Sequence, residues 1–128
     1  MSNLKTQIHN VDLKSNIRYR TYHFSLSIIH LINQLPNERV FTILSNQLLR
    51  SSTSIGANLI EAKSASSKKD FIKYYEIALK SANETVYWLS LIKDSNLIRL
   101  TNISELIAET KEISNMIGSS LLTMKGKR

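Results

Sequence analysis

The chain has 128 residues, 42% of them hydrophobic, with three Gly, one Pro and no Cys. That length fits one domain with a single core, and the lack of Cys excludes disulfides, thiolate metal sites and cysteine nucleophiles. The formal charge of +7 suits an anionic partner such as nucleic acid, whereas no run approaches the roughly 18 apolar residues of a membrane-spanning helix.

Apolar residues recur in alternating steps of three and four in four places, the period of helices packed on one another. The first helix is predicted over 14–35, with Ile17, Thr21, Phe24, Ile28, Leu31 and Leu35 on its stripe. Pro36 ends it, and Asn37 is placed to cap the second. The second helix, 38–63, carries Phe41, Leu44, Leu48, Ser51, Ile55, Asn58 and Ala62. The stretch 64–67 reads as a turn. Ser67 followed by Asp70 resembles a capping box for the third helix, 68–93, whose stripe is Phe71, Tyr75, Ala78, Ala82, Thr85, Leu89 and Ile92. Asp94, Ser95 and Asn96 close it. Asn102 with Glu105 opens the fourth, 102–124, with Ile103, Leu106, Thr110, Ile113, Ile117, Ser120 and Met124. Residues 1–13 and 125–128 are expected to be flexible ends. No segment alternates with period two, so strands are not expected. Short loops join antiparallel neighbours, so the expected fold is one all-α domain, an up-down-up-down four-helix bundle.

That topology places the start of the first helix, the second loop and the end of the fourth helix at one pole. The pole gathers Lys14, Arg18, Arg20, Lys63, Lys68, Lys69, Lys73, Lys125, Lys127 and Arg128 against Asp12, Glu61 and Asp70, so the whole net charge of +7 falls there. Such a pole attracts phosphate backbones, largely without sequence preference. Lys14, Arg18, Arg20, Lys63, Lys68, Lys69 and Lys73 are the candidate nucleic-acid-binding residues. Tyr19 and Tyr22, interleaved with Arg18 and Arg20, are placed to stack on an unpaired base. Cations at a helix C-terminus suit its dipole, so Lys125 and Lys127 have a structural explanation that Lys68 and Lys69, at a helix start, lack.

Catalytic readings find little. His23 and His30 are seven apart on one helix, about 10.5 Å along its axis, too far for one metal. Arg50, Ser54, Asn58, Glu61 and Glu84 lie near the core faces. They read better as a structural polar network, with Arg50 pairing Glu61 or Glu84, than as a buried reactive cluster. No nucleophile–base pair, phosphate-cradling glycine loop or cofactor fingerprint is present, so no cofactor is expected. A second apolar row at Ile72, Leu79 and Val86, with Tyr74, Tyr87 and Trp88 off the main stripe, argues for self-association. A wide core face with a few exposed aromatics is the alternative.

Gln47, Arg50, Ser54, Ile55, Asn58 and Glu61, followed by Phe71, Ile77, Ala78, Ser81 and Glu84, resemble the motifs of a bacterial four-helix-bundle family. It is typified by the protein encoded in the intervening sequence of large-subunit ribosomal RNA genes. The patterns are Q-x-x-R-x-x-x-S-I-x-x-N-I-A-E-G and E-F-x-x-F/Y-L-x-I-A-x-G-S-x-x-E. Here Leu59–Ala62 replaces I-A-E-G, Asp70 replaces Glu, and Lys80 replaces the Gly before Ser81. The resemblance implies a non-enzymatic protein forming pentameric rings; a cytoplasmic location is expected instead from an N-terminus without an apolar run behind its charges and from the lack of a membrane-spanning stretch. The resemblance also implies kinship with the accessory protein of diversity-generating retroelements, whose basic surface binds RNA and a reverse transcriptase. Two readings follow. One is a homo-oligomer that binds nucleic acid, RNA favoured, through the basic pole. The other is a protein-interaction module that recruits a partner enzyme through the apolar rows near Tyr87 and Trp88.

Overall fold

The computed structural model describes residues 16–126. Four helices follow one another, α1 (Ile17–Asn33), α2 (Arg39–Lys63), α3 (Lys68–Asp94) and α4 (Ile103–Met124). They form an antiparallel four-helix bundle with no strand among the described residues. Lys14, Lys127 and Arg128 lie outside the described residues. So does the expectation of flexibility for 1–13 and 127–128.

The ends of the helices follow their local chemistry. Asn16 is extended, and its side chain accepts from the backbone N–H of Arg18 and Tyr19. This cap starts α1 at Ile17, later than the expected residue 14. Asn37 does not cap α2. Glu38 takes the N-cap position without a side-chain cap bond. Ser67 does cap α3, accepting from the Asp70 N–H at 3.1 Å. The Asp70 carboxylate turns instead to Ser66 Oγ, also at 3.1 Å, so only half of the capping box forms. Asn102 sits at the N-cap of α4 without capping it. After α3, Asn96 takes φ 57°, a left-handed turn that Asn tolerates better than most residues.

The heptad stripes become the core, with a local departure in α2 and another in α4. Phe24, Ile28, Leu31, Leu48, Ile55, Ala78, Ala82, Leu89, Ile92, Ile113 and Ile117 are buried together. In the later turns of α2 and α4, however, Leu59 and Leu121 are buried, where the stripe had continued to Asn58 and Ser120. A straight helix drifts about 20° per heptad against a 3.5-residue repeat. Over three heptads that is less than the roughly 100° of one residue, so the buried face leans toward Leu59 while Ala62, on the stripe, stays buried. Most of the second apolar row is absorbed as well: Ile72, Leu79, Tyr74 and Trp88 pack half-buried against the core.

Candidate nucleic-acid interface

Antiparallel packing brings the start of α3 beside the end of α4. Lys68, Lys69 and Lys73 are exposed on the first turns of α3. With Lys125 from the end of α4 and with Asp70, Ile72 and Glu76, they line an open depression of about 560 Å³. Ser67 and Asp70 supply the first-turn groups that a helix N-terminus favours. The lysines add repulsion there that the fold does not use. Lys125 Nζ donates to Glu76 Oε2 at 2.7 Å. That hydrogen bond holds the Glu76 carboxyl below the ordinary carboxylate range, with the charges of Lys125 and Lys80 adding to the effect.

The remaining candidates divide. Lys63 is exposed in the last turn of α2, where a cation suits the dipole. Arg18 is close enough to Tyr75 for its charge to act on the phenol, against the burial that raises the Tyr75 pKa. Arg20 departs from the expectation. Its guanidinium bridges to α4, donating to Glu109 at 2.5 Å and Glu112 at 2.8 Å. The hydrogen bond to Glu112 is the main cause that raises its already high pKa. Two carboxylates thus cancel Arg20, and it fastens α1 to α4 where the sequence alone had assigned it to the pole. The Tyr19 ring lies 4.3 Å from His23 and the Tyr22 ring 5.5 Å, so both aromatics pack within α1.

The expected polar network forms along the seam between α2 and α3. Arg50 pairs with Glu84 and donates through Nη2 to Gln47 Oε1 at 2.9 Å. Trp88 Nε1 donates to Glu84 Oε2 at 2.8 Å. That bond is the largest cause of a lowered Glu84 pKa, ahead of the Arg50 hydrogen bond and charge, while desolvation opposes it. Asn58 Nδ2 donates to Ser54 Oγ at 3.0 Å, and Ser81 Oγ reaches Ser54 Oγ at 2.9 Å. Glu61 does not join the network; it is exposed two turns beyond Ser54, and it forms no ion pair with Arg50, which Glu84 takes instead. The network also recruits residues that the sequence reading left out. Trp88 is one, signalled by its four-residue spacing from Glu84. The buried pair Ser51 and Thr85, 3.0 Å apart, is another, signalled by two polar residues on apolar stripes. Among the described residues no three His, Asp or Glu are grouped to hold a metal ion, and no helix is long and apolar enough to cross a membrane.

A family model described as 23S rRNA-intervening sequence protein matches residues 14–119. The crystal structure of a protein of unknown function from the S23 ribosomal protein family, from Bacteroides thetaiotaomicron, is 38% identical and superposes with a TM-score of 0.77, covering 83% of this chain and 98% of its own. No curated protein matches the chain.

Proposed function

The chain belongs to the 23S rRNA-intervening sequence protein family, and from that premise we propose that it is a non-enzymatic accessory or scaffold protein that binds nucleic acid, RNA in preference to DNA, through its basic pole. The observation that carries this reading is the gathering of Lys68, Lys69, Lys73 and Lys125 around one open depression. Lys68, Lys69 and Lys73 have no structural task in the helix start that bears them, whereas Lys125 is held there by Glu76. Phosphate contacts of this kind give affinity without sequence readout. The polar network on the α2/α3 seam is satisfied from within the bundle and offers no nucleophile with an adjacent base.

Self-association belongs to the same proposal. Ile43, Tyr87 and Leu97 are 53%, 57% and 62% exposed, all toward the end away from the lysines. Contact there between copies would leave the basic poles free. A ring of parallel subunits, five by the family resemblance, would repeat the pole around one rim and multiply weak contacts. These same exposed side chains favour the second reading, a module that recruits a partner enzyme. Fluorescence anisotropy with a labelled structured RNA at several salt concentrations separates the two. Log affinity that falls linearly with log salt, and that is lost in Lys68→Glu/Lys69→Glu/Lys73→Glu, supports the nucleic-acid reading. No binding at about 50 mM salt, where such contacts are strong, leaves the protein module.

A further inference from the structure

We propose that the trough between α3 and α4 receives an unpaired nucleobase of the strand whose phosphates rest on the lysines; this deepens, and rests on, the reading of the basic pole as a phosphate-binding surface. The trough is an open cavity of about 740 Å³ with Leu79, Gly118, Leu121 and Leu122 among its lining and Lys80 and Asn115 beside them. It shares Glu76 and Lys125 with the basic depression, so the two are continuous. A strand lying across the lysines passes directly over the apolar opening.

Gly118 is the residue that points to use. It lies inside α4, where Gly costs about 1 kcal/mol relative to Ala. It does not relieve a close approach, because a Cβ built on it meets nothing within 4 Å. Nor does it take a positive φ, which among glycines is found at Gly126. Within the fold it only leaves a concavity open. Leu122, 47% exposed beside it, supplies an apolar wall. An unpaired base offers an apolar face to such walls and polar edges to nearby amides and cations. Asn115 supplies an amide to read those edges, and Lys80 and Lys125 supply charge for the flanking phosphates. A duplex keeps its bases stacked inside and reaches the lysines alone.

The trough is also bounded. Ser114 Oγ donates to Asn83 Oδ1 at 3.0 Å at one end, and the Lys125–Glu76 bridge, at 2.7 Å, marks the other, where the trough opens onto the basic depression. Asn83 and Glu76 are seven residues apart, about 10.5 Å of helix. That span holds one base. A helix from a second copy would have to cross both polar bridges.

The test compares wild type with Gly118→Leu, which fills the trough, and Gly118→Ala, which barely changes it. Both replacements favour the helix and have room, so the fold is kept. Anisotropy is read with a short labelled single-stranded RNA and with a duplex of equal length, at one low salt concentration. The expected result is a loss of about tenfold for the single strand in Gly118→Leu, with duplex affinity unchanged and Gly118→Ala close to wild type. Equal affinity of wild type and Gly118→Leu for the single strand overturns the proposal, as does an equal loss for both RNAs. A fall in oligomer mass of Gly118→Leu by sedimentation also overturns it, because the trough is then a subunit contact. Wild type that binds neither RNA fails at the basic pole itself. Wild type that binds both RNAs while Gly118→Leu leaves the single-strand affinity unchanged fails only at the trough.

Discussion

Lys125 Nζ and Glu76 Oε2 meet at 2.7 Å, where the basic depression and the apolar trough join. The pair brings a cation from the last turn of the bundle over the early turns of α3, and in doing so spends that cation on a carboxylate. Changing Glu76→Gln removes the negative charge and frees Lys125 for phosphate. RNA affinity is expected to rise about threefold to tenfold, and the log–log salt slope to steepen by about 0.7–0.9, the increment for one more phosphate contact. Anisotropy titrations at several salt concentrations read both. A drop in affinity would mean that the bridge holds Lys125 in its useful position.

Acid should weaken the bundle through its paired carboxylates. Glu84 is lowered first by the Trp88 hydrogen bond, and Glu76 and Glu112 first by their bonds to Lys125 and Arg20. The unfolded chain then binds protons at a higher pH than the folded one. Stability from these groups is therefore fully present above the ordinary value of 4.5 and is lost as pH falls through the lower folded values. The pairs are open to solvent, so each effect is small. Trp88 is the only Trp, so its emission should shift as Glu84 takes up a proton, below pH 4.5. In Glu84→Gln that step should vanish, and the acid decline of the urea midpoint should become shallower.

The helices were legible because their stripes are long and the breakers few. Pro36, Ser67 and Asn96 mark ends that the structure keeps. Caps were less legible. Asn16 and Asn37 are the same residue type before a helix, but Asn16 is the N-cap of α1 whereas Asn37 lies one residue before Glu38, the N-cap of α2. The burial of Leu59 beside Asn58 and of Leu121 beside Ser120 lies in the direction that the mismatch between 3.5 and 3.6 residues sets. A heptad written by hand does not carry it. For the interface, Lys68, Lys69 and Lys73 are neighbours in sequence and were found there. Arg20 looked equivalent, because its cancelling partners Glu109 and Glu112 lie about ninety residues away. The trough was invisible for the same reason. Leu79 and Gly118 meet only through the α3/α4 register.

The buried hydroxyls between α2 and α3 should contribute measurably to stability. Thr85 and Ser51 are 0% exposed. Thr85 Oγ1 lies 2.8 Å from the Ser81 carbonyl and 3.0 Å from Ser51 Oγ. With one hydrogen it donates to the carbonyl and accepts from Ser51. Thr85→Val keeps the shape and removes the acceptor, which should cost about 0.5–1.5 kcal/mol. Ser51→Leu forces a larger side chain into the same closed seam, and should cost about 1–3 kcal/mol. Urea unfolding followed at Trp88 measures both. A milder effect for Ser51→Leu than for Thr85→Val would mean that the seam can open.

Gly56 sets the approach of α2 to α1. A Cβ built on it would lie 3.1 Å from Thr21 Oγ1, tighter than ordinary van der Waals contact, and Thr21 is 0% exposed. The Thr21 hydroxyl is held in place by the Ile17 carbonyl at 2.9 Å, so it does not simply swing aside. In Gly56→Ala two effects therefore oppose each other: a helix-propensity gain of about 1 kcal/mol and a contact penalty of similar size. The single change should be close to neutral. Removing the obstruction separates the terms. In a Thr21→Ala background the same Gly56→Ala change has room, and should stabilise by about 1 kcal/mol. The difference between the two backgrounds is the coupling energy of a double-mutant cycle, read from urea midpoints at constant slope. Equal effects in both backgrounds would show that the helices yield at this crossing, and that Gly56 is not what fixes their separation.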